Sequence, residues 1–376
     1  MIYLDNASTT KVDLEAAKIM EKYLVEEYYN PSAIYYLSSN LKDEIDNAKQ
    51  SILNNFKIDY NNNLFFTGSA TEANNLAILG SLKSNFKKLL FSMGEHPSVY
   101  NTAKSLKEKG FNVVFLNLDK TGKVDLDQYT KEISSGDVSF ISIMQVSNET
   151  GAINDINKLA TLAKMYNPKC IFHSDGVQAF GKINVNLENI DLYTISAHKI
   201  NGPKGIGALY VKDYKKLKPI ILGGGQELNI RSGTENVPAI MGFACVAKNL
   251  NIKETLEKVS ILKNKLVSNL NNIEGITINT TENNSPYVIS ISFDKIRGET
   301  LVHKLEEQNI FVSTGSACSS KKLGENRILE NMGIEKQKII GSIRVSLSKN
   351  TTLEEINTFC EKTIEAYKAL KETLGV

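Results

Sequence analysis

The chain has 376 residues, 41% of them apolar, and its 44 Lys+Arg against 42 Asp+Glu leave a formal net charge of +2. That apolar content is enough to build cores and excludes disorder throughout, and the near balance of charge leaves no basic field for nucleic acid or an anionic membrane surface. Four cysteines in this length cannot make a disulfide framework, so reduced thiols in a cytoplasmic protein are expected.

The first ten residues lack the basic start and apolar core of a secretion signal. The least polar long stretch, 138–146, is interrupted by Ser139, Ser142 and Gln145 and falls far short of the ~20 apolar residues of a membrane helix. Short apolar, β-branched runs predict strands at 64–67, 89–93, 113–117, 139–144, 171–174, 192–196 and 207–211. Apolar spacing near 3.6 predicts helices between most of them, as at 74–86 and 99–109. This alternation predicts an α/β fold with a mainly parallel, seven-stranded sheet covered by helices. The texture changes near Val237. A long mixed-charge helix is expected at 249–271, then a strand at 287–293, a helix at 299–308, strands at 310–313 and 342–346, and a last helix at 352–374. A large domain followed by a smaller α+β domain is the natural division.

Five constellations could carry chemistry. Thr67-Gly68-Ser69-Ala70-Thr71-Glu72 joins a predicted strand to a helix. It suits a phosphate at a helix start, or a plain N-cap with Glu72 in the first turn. His173-Ser174-Asp175-Gly176-Val177-Gln178 puts a carboxylate at a strand's C-terminal end, where open α/β sheets bind ligands. Cys170 and His173 have a C-x-x-H spacing, but no second pair is near, so no metal site is expected. Ser196-Ala197-His198-Lys199 ends another predicted strand before a Gly-rich turn. Its lysine is a Schiff-base candidate, or an ordinary surface residue. Ser313 to Lys322 is small and polar, with Cys318 beside two cations, a setting that lowers a thiol's pKa. Cys170, Cys245 and Cys360 instead fit packing positions. Arg344, between small hydroxyl residues on a short strand, could clamp a carboxylate or face solvent from a sheet edge.

Together these stretches resemble the class I cysteine desulfurases, the NifS/IscS-like branch of the fold-type-I pyridoxal phosphate enzymes. The likeness runs from Tyr3-Leu4-Asp5-Asn6-Ala7-Ser8-Thr9-Thr10 to the last helix. It takes in Asn30-Pro31-Ser32, Glu95-His96, Asn148-Glu149, Gly223-Gly224-Gly225-Gln226-Glu227 and Arg231-Ser232-Gly233-Thr234. It implies a large cofactor domain over 13–250 and a small domain over 1–12 and 251–376, which carries a cysteine loop at about 313–326.

The resemblance implies these roles. Lys199 would hold pyridoxal 5′-phosphate covalently and later move protons. Asp175 would pair with the pyridine nitrogen, and Gln178 and Asn148 would bond around the ring hydroxyl. His96 would stack on the ring and act as a catalytic acid or base. Thr71, Ser196 and His198, with the backbone at Ala70, would hold the phosphate, and Thr234 would reach the phosphate of a second copy in a homodimer. Arg344 and Asn148 would bind the carboxylate of L-cysteine. Cys318 would attack the substrate sulfur, become a persulfide, and pass sulfur to an acceptor protein of iron–sulfur cluster assembly or tRNA thiolation. The Arg297-Gly298-Glu299 turn and residues 314–322 are similar to desulfurases dedicated to tRNA thiolation in Gram-positive bacteria.

Three positions depart from the family pattern: Tyr35 stands where a His is usual, and Gln145 and Ser147 replace the His and Asn before Asn148. Two other classes compete. One is a different fold-type-I enzyme, such as an aminotransferase or selenocysteine lyase, which needs no nucleophilic Cys. The other is a non-catalytic sulfur-assembly scaffold.

Overall fold

The computed structural model describes residues 1–59, 63–314 and 326–375. In chain order the strands are β1 (Ile2–Tyr3), β2 (Leu64–Thr67), β3 (Lys88–Ser92), β4 (Val113–Leu116), β5 (Val138–Ser142), β6 (Ile171–Asp175), β7 (Leu192–Ser196), β8 (Gly207–Val211), β9 (Ile276–Ile278), β10 (Val288–Phe293), β11 (Ile310–Phe311) and β12 (Ser342–Ser346). The α-helices are α1 (Leu14–Val25), α2 (Tyr36–Leu53), α3 (Ala70–Ser81), α4 (Pro97–Glu108), α5 (Leu126–Ile133), α6 (Ile156–Tyr166), α7 (Val237–Lys248), α8 (Ile252–Leu270), α9 (Gly298–Glu306), α10 (Arg327–Asn331), α11 (Lys336–Ile340) and α12 (Leu353–Leu374).

Seven strands form one sheet in the order β2-β8-β7-β6-β5-β3-β4. All run parallel except β8, which is antiparallel to both of its neighbours. The mainly parallel sheet expected from the sequence is therefore present. Its strands read as short, largely apolar runs because helices cover both faces, and every residue of β2, β7 and β8 is buried. A second, antiparallel sheet has the order β12-β10-β9, with its own core of residues such as Leu262, Ile291, Phe293 and Phe359. The N-terminal strand β1 pairs in parallel with β11.

Local chemistry sets the helix starts. Ser69 caps α3 by accepting from the Glu72 N–H, and Thr352 and Glu355 close a reciprocal capping box at α12. Helix α3 starts earlier and stops sooner than the predicted 74–86. It stops because the Gly80 carbonyl is taken by the Lys218 N–H (2.8 Å), and Leu82 turns extended.

Candidate active site

The parallel strands deliver the predicted residues to one edge of the sheet. Asp175 and Ser196 end β6 and β7, His96 follows β3, and Asn148 follows β5. Gly207 opens β8 at the same edge, in register with both Thr67 and Ser196. A Cβ there would lie 2.7 Å from the Ala70 nitrogen, so only glycine lets α3 start this close to the sheet. Of the four N–H groups that begin α3, Glu72 donates to the Ser69 hydroxyl and Ala73 to the Ser69 carbonyl. The Ala70 and Thr71 N–H groups are the remaining two, set to receive an anion.

Asp175 is 2% exposed. Its Oδ2 accepts from Asn74 Nδ2 at 2.8 Å, and its Oδ1 accepts from the Val177 N–H at 3.0 Å. Asn74 Nδ2 also donates to Ser98 Oγ (2.8 Å), and Ser98 Oγ lies 2.8 Å from His96 Nδ1. The same Nδ1 accepts from the Ser98 N–H, so His96 caps α4 and its ring proton sits on Nε2. Burial lowers the His96 pKa, Asp175 opposes this, and Lys199 and Arg327 reinforce it. A neutral imidazole results. Asn74 and Ser98 were not anticipated from the sequence. The one visible sign was an Asn pair inside an apolar helix.

Lys199 Nζ donates to the carbonyls of Ala7 and Ser8, each at 2.6 Å. Gln178 Nε2 donates to the same Ala7 carbonyl at 2.9 Å. Thr9 Oγ1 lies 3.2 Å from His198 Nδ1, and Thr10 Oγ1 donates to the His198 carbonyl. Residues 7–10 thus form a strap along the lysine turn. The His198 pKa falls to about 4 through burial and the nearby Lys199, Lys204 and Lys182, leaving this imidazole neutral too.

Arg344 is 3% exposed, so it does not face solvent. One guanidinium arm reaches Asp5 (2.9 Å) and Ser8 Oγ (2.7 Å). The other reaches the Asn148 carbonyl (3.1 Å) and Glu149 (3.4 Å). Burial lifts the Glu149 pKa to about 7 against the pull of Arg344. Asn148 Nδ2 donates to Glu149.

The donor set fits pyridoxal phosphate. Among the described residues, buried Asn74 Oδ1 and Asn148 Oδ1 have no hydrogen-bond partner; Asn74 holds Asp175, and the Asn148 carbonyl meets Arg344. The α3 start suits the phosphate, and Asp175 offers a buried acceptor.

Thr71 and Thr234 are exposed on this chain. Arg231, three residues before Thr234, pairs with Glu72 at 2.7 Å and ties that loop to the first turn of α3. Cys318 lies outside the described residues, whereas Cys170, Cys245 and Cys360 are buried as expected. Two of the departing residues have local work. Gln145 accepts from the Tyr193 hydroxyl, and Ser147 Oγ accepts from the Glu149 and Thr150 N–H groups. Gly298 of the Arg297-Gly298-Glu299 turn is demanded by packing, because a Cβ there would meet the Ser342 carbonyl at 2.3 Å. A cavity of about 870 Å³ opens at the opposite edge of the sheet, lined by Lys87, Asp137, Cys170 and Lys212 among others; none of the predicted site residues lines it.

The family model "Aminotransferase class-V" matches residues 2–359. Cysteine desulfurase IscS 1 of Archaeoglobus fulgidus is 36% identical over 370 residues, 96% of this chain and 95% of that protein. Cysteine desulfurase IscS of Buchnera aphidicola subsp. Baizongia pistaciae is 37% identical, over 95% of this chain and 90% of its own. Among solved structures, a NifS-like protein superposes with a TM-score of 0.90 at 33% identity, covering 97% of this chain and 98% of its own. SspA in complex with cysteine gives 0.82 at 28% identity, covering 94% and 100%. The chain belongs to the class-V aminotransferase family, in its NifS/IscS-like cysteine desulfurase branch.

Proposed function

We propose that this chain is a pyridoxal phosphate-dependent cysteine desulfurase that converts L-cysteine to L-alanine and collects the sulfur on Cys318. The observation that carries this reading is the continuous hydrogen-bonded set Asp175–Asn74–Ser98–His96 beside Lys199, in a chain whose relatives are named cysteine desulfurases. Bound pyridoxal phosphate supplies an electron sink for bonds at the substrate's α-carbon.

The chain's own groups do the rest. Lys199 Nζ gives up the Ala7 and Ser8 carbonyls to hold the cofactor, and afterwards carries the proton removed from the α-carbon. Two hydrogen bonds hold the buried Asp175 carboxyl in place as the ring's partner. Ser196, His198 and the start of α3 receive the phosphate. Arg344 exchanges Asp5 for the substrate carboxylate, a bidentate acceptor that suits its fork. Sulfur leaves the β-carbon for the Cys318 thiolate, the carbon skeleton takes up protons, and alanine departs. An acceptor protein of iron–sulfur cluster assembly or tRNA thiolation then receives the sulfur.

A homodimer is part of the proposal. Exposed Val25, Tyr28, Ile34, Tyr36, Ile221 and Leu222 offer apolar surface that a second copy would cover, with Thr234 exposed to reach across. Buried, unpaired thiols at Cys170, Cys245 and Cys360 support a reducing, cytoplasmic setting. No helix among the described residues is long and apolar enough to cross a membrane.

The test combines alanine release, persulfide on Cys318 and the visible absorption of the protein. Wild type is expected to give all three. Cys318→Ala should keep the absorption and lose the persulfide. Unchanged sulfur release by Cys318→Ala would rule out the desulfurase mechanism, and a protein that stays colourless with added pyridoxal phosphate would favour a scaffold.

A further inference from the structure

Lys182 has no role in the reaction described above, yet it is buried against the site. It is 6% exposed and follows Gly181, whose φ of +72° turns the chain inward. Its Nζ donates to Gln178 Oε1 at 2.7 Å. On its other side lies the Tyr287 ring, with the centroid 5.6 Å away. Among the described residues no carboxylate pairs with this ammonium, and burying an unpaired cation is costly. Burial, with Lys199 and Arg344 nearby, pushes the Lys182 pKa down to about 7.

What this lysine decides is the direction of a carboxamide. The Gln178 side chain has an acceptor at one end and donors at the other, and nothing in its shape tells them apart. In its charged form Lys182 only donates, and the 2.7 Å contact accordingly sets Gln178 Oε1 toward it. Nε2 is thereby turned toward the Ala7 carbonyl, to which it donates at 2.9 Å. Lys199 Nζ donates to that same carbonyl, so the Gln178 N–H groups sit on the Lys199 side. A flipped amide would set Nε2 against the ammonium and Oε1 against a carbonyl, and both contacts would be repulsive.

We propose that Lys182 is a positioning residue that orients Gln178 so that its N–H groups face the catalytic lysine and serve the ring hydroxyl of bound pyridoxal phosphate. This rests on the proposed cofactor and on Gln178 as its partner. A donor to the ring oxygen favours the oxygen's ionised form, so losing that donor raises the pH at which the bound cofactor changes colour.

The experiment titrates the visible absorption of reconstituted wild type, Lys182→Met, Gln178→Ala and the double variant. Each single variant is expected to move the midpoint upward by about one pH unit, and the double variant no further than either single. Lys182→Arg, whose guanidinium donates and does not accept, should restore the wild-type midpoint. Lys182→Gln, whose amide presents either end, should shift it upward by less, and it replaces Lys182→Met if that variant does not fold. A merely structural lysine would lower the denaturant midpoint of the cofactor-free protein and leave the colour titration unmoved. An unmoved midpoint, or shifts that add, overturns the proposal. Wild type that takes up no pyridoxal phosphate is a separate result, and it overturns the cofactor reading itself.

Discussion

Removing Lys49 tests how a strained turn is held. Lys49 on α2 meets Glu227 Oε2 at 2.9 Å, and the two side chains are only 7% and 5% exposed. The same oxygen accepts from the Phe66 N–H at 3.1 Å. Glu227 opens three successive left-handed residues, with φ of +48° at Glu227, +56° at Leu228 and +65° at Asn229. Such a conformation costs about 1–2 kcal/mol for a residue with a side chain. The buried pair is what the turn is fastened to, and the turn leads to Arg231 and Thr234. Lys49→Met keeps the volume and leaves a buried carboxylate unpaired, a loss of about 3–5 kcal/mol. Burial raises the Glu227 pKa while Lys49 lowers it, so the variant raises it further. A carboxyl whose folded pKa lies above its unfolded value near 4.3 loses stability as pH rises between the two. The deficit of Lys49→Met therefore grows as pH rises above the unfolded carboxyl range. Urea unfolding of wild type, Lys49→Met and Lys49→Met/Glu227→Leu measures this. The double variant, which removes both charges, should return to within about 1 kcal/mol of wild type. A Lys49→Met deficit under about 1 kcal/mol, or one that does not grow with pH, would refute the account.

Two further predictions follow from the site. Gly207→Ala puts a Cβ 2.7 Å from the Ala70 nitrogen and 3.0 Å from the Ile195 carbonyl, both backbone atoms that cannot swing aside. It should cost about 1–3 kcal/mol and weaken pyridoxal phosphate binding about tenfold, read by denaturation and by cofactor titration; unchanged values in both would count against the α3 start as the phosphate site. Glu95 is fully buried and its pKa is pushed up to about 8, by burial first and then by Asp175. Folding therefore takes up a proton there, and stability should fall by ~1 kcal/mol per pH unit from about 4.5 to 8. Glu95→Gln should remove that share of the slope in urea midpoints, and an identical slope would sink the assignment.

Element type was legible where packing leaves a period in the chain. Most strand residues of the large sheet are buried, so each strand appears as a short, largely apolar run. Helix α7 left no such trace, because ten of its twelve residues are buried and the apolar stripe runs all the way round. Strands β1 and β9, of two and three residues, are too short to show alternation. Within the site, Asp175, Ser196 and Lys199 were visible because chemistry at the end of a parallel strand follows from topology. Asn74 was not, because nothing local marks a helical Asn as the partner of an Asp 101 residues away.

Composition excluded a disulfide framework and a nucleic-acid surface, and motif order pointed to the family. Those features are local or additive, so the amino-acid sequence alone determines them. Tertiary structure decided which groups meet. It brought the Ala7 carbonyl to Lys199 across 192 residues and Asp5 to Arg344 across 339. It also set Lys182 against Gln178. Such partnerships depend on how strands and helices stack, and they leave no period or spacing in the chain. For that reason the direction of a buried amide or the proton on a histidine nitrogen is read only from the fold.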